Sequence, residues 1–186
     1  GVHGVAQVNQ YTSFIGNIMA SRISSLWDFS GPSFSISSEE NSVFKALEVA
    51  GFMLSSKEVD AVVVAAVDLS GGFENVFLKN QINTLNSGHS TLSFDINASG
   101  WMIGEAAGAV VLKRRDHAVK EKCNIYSTLH SLSFSKGLSA ESIAENCRKA
   151  GREAEITLSD VGYLEAFASG IKNQDDAEID GILDAY

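Results

Sequence analysis

The segment SISSEENSVFKALEVAG, residues 35–51, places Ser37, Ser38, Glu39 and Glu40 between a short apolar–serine alternation and an apolar helical run. That is the layout of a turn entering a buried helix. Such turns commonly present a nucleophile, because the helix dipole and free backbone N–H groups lower its pKa. Here the presented side chain is Glu40, which carries charge but little nucleophilicity. Ser37 and Glu40 also have the spacing of a capping box, and Glu39 adds charge that the dipole favours. Stabilising the helix start is thus a sufficient account of Glu40; the alternative is a specific role such as an ion pair with a partner chain. The other reactive groups are dispersed. His3, His89, His117 and His130 sit in no motif with Ser or Cys at nucleophile spacing and read as surface or satisfied core histidines. Cys123 and Cys147 lack a CxxC pattern and a nearby histidine pair, so neither a disulfide framework nor a zinc site is indicated, and both read as inert thiols. No metal and no cofactor is called for.

The elements that must hold these residues follow from periodicity. Apolar residues at Tyr11, Phe14, Ile15, Ile18, Met19, Ile23 and Leu26 predict a one-faced helix, broken by FSGPS. Phe34 and Ile36 alternate with serines in an expected short strand. The helix expected from Glu39 to Leu54 has almost no polar face beyond Lys45 and Glu48, which predicts cover on nearly every side. VDAVVVAAVD (59–68) and AAGAVVLK (106–113) are continuous apolar runs, as in strands buried on both faces. Between them fall a helix near Glu74 to Ile82, a polar turn NSGHS and a glycine-punctuated stretch FDINASGWMIGE of the kind that lines pockets. After Arg115 come a short helix, a strand IYSTLHSLSF, a helix from Ser139 to about Ala154, a strand GYLEAF and a last helix. The clusters KRRDH and KEK read as a solvated strand end and helix face. Buried strands beside a buried helix, with further helices outside, imply an α/β class with helices between and outside two sheets.

At 186 residues and 45% hydrophobic content the chain has the composition of a globular protein. Its net charge of −9 is spread along the chain and disfavours nucleic acid and anionic membrane as partners. No apolar run reaches the roughly 18 residues of a spanning helix, and no basic-then-apolar leader is visible, so a cytoplasmic location is expected. The chain starts at Gly1 and stops at Tyr186 inside an expected helix, the pattern of a piece of a longer polypeptide.

Three stretches together resemble the β-ketoacyl synthases of the thiolase superfamily. GPSFSISSEENSVFKAL is similar to the family's Gly-Pro-Ser strand and nucleophile turn, which continues Asp-Thr-Ala-Cys-Ser-Ser. SFDINASGWMIGEAAGAVVLKR resembles the Phe-Asp, Asp-Gly-Phe and Gly-Glu-Gly segment leading into a core strand. VGYLEAFASGIKNQDDAEIDGI resembles Val-Glu-Ala-His-Gly-Thr-Gly-Thr followed by Gly-Asp-Pro-Ile-Glu. The resemblance implies a thiolase-like layered αβαβα fold, present as a central portion: residues 1–115 as the N-terminal-half portion and 116–186 as the start of the C-terminal half.

Laid on those motifs, Glu40 occupies the position of the acyl-accepting cysteine and Phe167 that of the first catalytic histidine. A carboxylate attacking a thioester would give a reactive anhydride, and a phenyl ring cannot hydrogen-bond a thioester carbonyl or stabilise an enolate. The resemblance therefore implies no catalytic residue at these degenerate positions. Ser38, Glu105, Glu165 and Ser169 are implied as pocket or structural residues. Losing both groups while keeping the scaffold resembles a chain-length factor, and ENSVFKALEVAG with VDAVVVAAVDLSGGFE resembles especially that of polyunsaturated fatty acid synthases. Such a domain pairs with an active ketosynthase, serves an acyl carrier protein and helps shape the acyl-chain tunnel. Phe34, Phe44, Met53 and Phe73 could line pocket or interface, with plain core as the default. Two other functions stay open: a residual malonyl decarboxylase or acyltransferase using Glu40, and an independent acyl-binding scaffold.

Overall fold

A computed structural model describes residues 15–86 and 94–186. In chain order these form α1 (Gly16–Leu26), a 3-10 turn (Glu39–Asn41), α2 (Ser42–Ser55), β1 (Ala61–Leu69) and α3 (Phe73–Ile82). Then follow β2 (Glu105–Lys113), α4 (Arg115–Lys120), α5 (Ala140–Ala154), a second 3-10 turn (Leu158–Asp160) and α6 (Lys172–Ala185). The two continuous apolar runs are the two strands, and they pair with each other. Tyr11, Phe14, His3, His89 and the part of the NSGHS turn after Asn86 lie outside the described residues. No helix among the described residues is long and apolar enough to cross a membrane.

The chain divides into two compact units. The first comprises Gly1–Ala66 and Ala109–Cys123. Among the described residues its buried apolar ones are Ala50 and Leu54 of α2, Val64 of β1 and Ala118 of α4. Arg114, at the β2 end, braces this unit: one guanidinium nitrogen donates to Leu54 O at 2.9 Å and to Val59 O at 3.0 Å. The other lies 3.4 Å from Asp60 Oδ1 and 3.0 Å from His117 Nδ1. The KRRDH cluster is thus not simply a solvated strand end. The guanidinium adds a further donor to Leu54 O, which also accepts the Lys57 N–H at 3.2 Å, and so ties the C-terminus of α2 to the segment before β1. Arg114→Met is expected to lower stability by about 1–3 kcal/mol, since it removes the Val59 carbonyl's donor and one of the donors to Leu54 O; the midpoint of urea unfolding checks this.

The second unit comprises Val67–Gly108 and Asn124–Tyr186. Here α5 and α6 pack against each other, tied by Arg148, whose guanidinium donates to Asp184 O at 2.7 Å and meets its carboxylate at 2.9 Å. Ser139 caps α5 by accepting the Ser142 N–H at 3.2 Å. Burial pushes the Cys147 thiol up, while Cys123 of the first unit is exposed.

Several expectations fail. Ser37 does not cap the helix: the approach to α2 is a 3-10 turn, and neither that turn nor α2 has a side-chain N-cap bond. The segments around Phe34 and Ile36, IYSTLHSLSF and GYLEAF form no strand, because no backbone among the described residues pairs with them. α2 is not covered all round, since Phe44 and Phe52 are exposed and only Ala50 and Leu54 are buried. Phe34, Phe44 and Phe73 are likewise exposed instead of core, Phe73 by 84%; Met53 is half-buried. In the strands Val67, Leu69, Val110 and Val111 stay exposed. An apolar run encodes the capacity to be covered on both faces, and cover itself comes from other layers.

Candidate functional site

In the first unit the nucleophile-type turn is drawn tight by Ser42. The Ser38 N–H donates to Ser42 Oγ at 2.8 Å, and the Ser42 hydroxyl donates to Glu39 O at 2.6 Å. Glu39 adopts a left-handed conformation, φ 51°, which disfavours a non-glycine residue by about 1–2 kcal/mol. Glu40 follows in the 3-10 turn with its side chain exposed. The pair of carboxylates sits where the helix start favours negative charge, yet Glu40 makes no capping-box bond. Ser42 organises this turn and escaped the motif reading.

In the second unit the loop 167–170 is built by carboxylates from the first turns of α6. Glu178 accepts the Phe167 N–H at 2.7 Å and the Ala168 N–H at 2.8 Å, one on each oxygen. Asp175, buried, accepts the Ser169 hydroxyl at 3.0 Å and the Gly170 N–H at 3.1 Å. Ser169 in turn accepts the Ile171 N–H at 3.1 Å, so its hydroxyl is committed on both sides. Ala168 is held at φ 48° and Gly170 at φ 76°. A Cβ on Gly170 would lie 2.5 Å from Gly100 O, so the two backbones touch there.

That contact sets Trp101 against Phe167. Their ring centroids are 5.6 Å apart at 81°, an edge-to-face pair. Trp101 is pinned through its backbone, donating to Thr84 O at 2.9 Å and accepting from Asn86 N–H at 2.9 Å. Lys79 Nζ lies 5.2 Å from the Trp101 ring centroid.

The remaining sequence-selected residues are structural in position. Glu105 accepts the Gly71 N–H at 3.0 Å, tying β2 to the turn before α3. Glu165 is exposed and accepts the Tyr163 hydroxyl at 2.9 Å, a bond that raises the phenol's pKa. His117 lies beside Arg114, and His130 is exposed. Asp175 and Glu178 were missed as functional positions. For Asp175 the available signal was a carboxylate in the first turn after a glycine-bearing loop, because a helix N-terminus favours carboxylates; Glu178 lies a turn further on and gave none. Chemically, the loop offers a rigid backbone, a locked hydroxyl and an apolar ring; it holds no proton that residue 167 could donate.

Residues 3–118 match the β-ketoacyl synthase N-terminal domain. A polyunsaturated fatty acid synthase polypeptide of Thraustochytrium sp. is 37% identical over 170 residues, which is 91% of this chain and 8% of that polypeptide. Among solved structures, the PfaC keto synthase–chain length factor superposes with a TM-score of 0.80 at 39% identity, over 100% of this chain and 20% of that one. The ketosynthase solved with its type II polyketide acyl-carrier protein, AntDE:AntF, superposes with a TM-score of 0.82 over 95% of this chain and 47% of that one. At 19% identity that likeness speaks to fold alone. The chain therefore spans a small part of the length of these relatives, and what it has of their architecture is the thiolase-like layered fold. With the family match covering more than half of its residues, this chain belongs to the β-ketoacyl synthase family.

Proposed function

We propose that the chain is a noncatalytic, chain-length-factor-type domain that pairs with an active ketosynthase and helps shape the acyl-chain tunnel. The observation that carries this reading is the loop at Phe167. Its scaffold is complete, with Glu178 and Asp175 holding the backbone, while the side chain at the histidine position is a phenyl ring packed on Trp101. Glu40, at the cysteine position, cannot be loaded with an acyl group in any stable form. The resemblance to PfaC and to the polyunsaturated fatty acid synthase supports the subfamily. The match over residues 3–118 supports taking 1–115 as the N-terminal-half portion and 116–186 as the start of the C-terminal half. Partners on this reading are the active ketosynthase, an acyl carrier protein and the acyl chain; a cytoplasmic location goes with it. Ser38, Glu105, Glu165 and Ser169 act as structural supports.

One observation favours a second reading. Glu40 makes no capping bond, so helix capping no longer accounts for it, and a carboxylate acting on malonyl groups would be an alternative use. Incubation of the full-length protein with malonyl-loaded carrier protein, no ketosynthase present, separates the two. No carbon dioxide above background is expected from the native protein or from Glu40→Gln. Release that Glu40→Gln abolishes would overturn the noncatalytic reading.

A further inference from the structure

We infer that Trp101 is the positioning residue for the Phe167 ring, and that Lys79, through Ser70 and Asp68, fixes Trp101 in turn. The contacts form one unbroken series inside the second unit. The buried Ser70 hydroxyl donates to the Asp68 carboxylate at the end of β1. Lys79, on α3, donates to Ser70 Oγ at 3.1 Å, and its ammonium lies 5.2 Å from the Trp101 ring centroid, within the reach of a cation–π contact. Trp101 then meets Phe167 edge to face. A lysine is among the most mobile side chains; here its ammonium has a hydrogen-bond acceptor on one side and an aromatic ring on another, so it stays where it is useful as a brace.

The division of labour is the informative feature. The backbone of residues 167–170 is held by Glu178 and Asp175, which do not touch the Phe167 ring through any of the bonds described. The ring is 56% exposed, so nothing like a packed core sets its torsions, and Trp101 is its aromatic contact. Removing Trp101 therefore frees the ring while leaving the loop where it is. An exposed aromatic ring held at one orientation is a flat apolar wall of constant shape. Resting on the proposed function, that wall is a length-determining surface of the acyl tunnel, and its ligand is the apolar end of an acyl chain. A rigid apolar pocket separates ligands differing by one methylene by about tenfold or more; a ring free to turn gives that discrimination up.

Two measurements on the full-length protein test this separately. In the structure of Trp101→Leu solved by electron cryomicroscopy, density for the Phe167 ring should smear over several rotamers with the 167–170 backbone unmoved. A single unchanged ring position would overturn the positioning role, whatever the products are. In product analysis with the active ketosynthase, Phe167→Leu, Trp101→Leu and Lys79→Met should each lower the ratio of main to next-longer acyl product, by up to about tenfold. Lys79→Arg, which keeps a cation over the indole and a donor to Ser70, should restore the native ratio. A shift with Phe167→Leu alone would overturn the relay and leave the tunnel reading standing. No shift with Phe167→Leu, in protein that still binds its ketosynthase, would overturn the tunnel reading and the length-setting role with it.

Discussion

Replacing Gly170 by alanine is expected to lower the stability of the protein by about 2–5 kcal/mol. Two independent terms combine. The residue sits at φ 76°, where a Cβ costs about 1–2 kcal/mol against the preceding and following backbone. The added carbon would also fall 2.5 Å from Gly100 O and 3.2 Å from Gly100 C. Those are backbone atoms that cannot rotate away, so overpacking adds about 1–3 kcal/mol. Urea unfolding should show a lower midpoint at unchanged slope, as for a loss of stability without a change in the surface exposed. Ala168→Gly is the control. Ala168 already bears a Cβ at φ 48°, so glycine relieves backbone strain there and should leave stability level or slightly raised. A Gly170→Ala variant as stable as the native protein would mean that the Gly100–Gly170 contact is not maintained in solution.

Asp175→Ala should have the second large effect, about 2–6 kcal/mol. The carboxylate is 7% exposed and serves the Ser169 hydroxyl and the Gly170 N–H together. Each donor left without an acceptor away from water costs about 1–3 kcal/mol. The loss of negative charge in the first turn of α6 adds a few tenths through the helix dipole. Asp175→Asn keeps one acceptor oxygen and should recover about half of the loss. The order native, Asn, Ala in thermal or urea midpoints distinguishes lost hydrogen bonds from lost charge: if charge dominated, Asn and Ala would fall together.

The sequence made some of this legible and hid the rest for physical reasons. The two apolar runs read as strands because a stretch of that length and β-branched content has few other folded states, and β1 and β2 lie within two residues of the expected bounds. The helix from Ser139 to about Ala154 was equally local, and the structure has it over Ala140–Ala154. Positions 40 and 167 were singled out by motif spacing, which is itself a sequence property.

What failed was information not carried locally. A strand needs a partner, and residues 125–134 and 162–167 have the composition without the pairing. The near-complete apolar surface of α2 announces that something covers it, not that Phe44 and Phe52 are covered by residues of this unit. The capping-box spacing at Ser37 was a coincidence of a polar turn, overridden once Ser42 tied the 3-10 turn to Ser38 and Glu39. Arg114 read as solvent-facing because its partners, Leu54 O and Val59 O, lie more than fifty residues away and are backbone atoms that no composition reveals. The aromatic pair escaped for the same reason, since Trp101 and Phe167 meet only because Gly100 and Gly170 let two backbones touch.

The anchoring of the 167–170 backbone by Glu178 and Asp175 has a consequence for substitution. Because neither carboxylate depends on what side chain residue 167 carries, substitution there is nearly free of a folding penalty. Residue 167 can therefore change its chemical type while the loop that carries it keeps its shape.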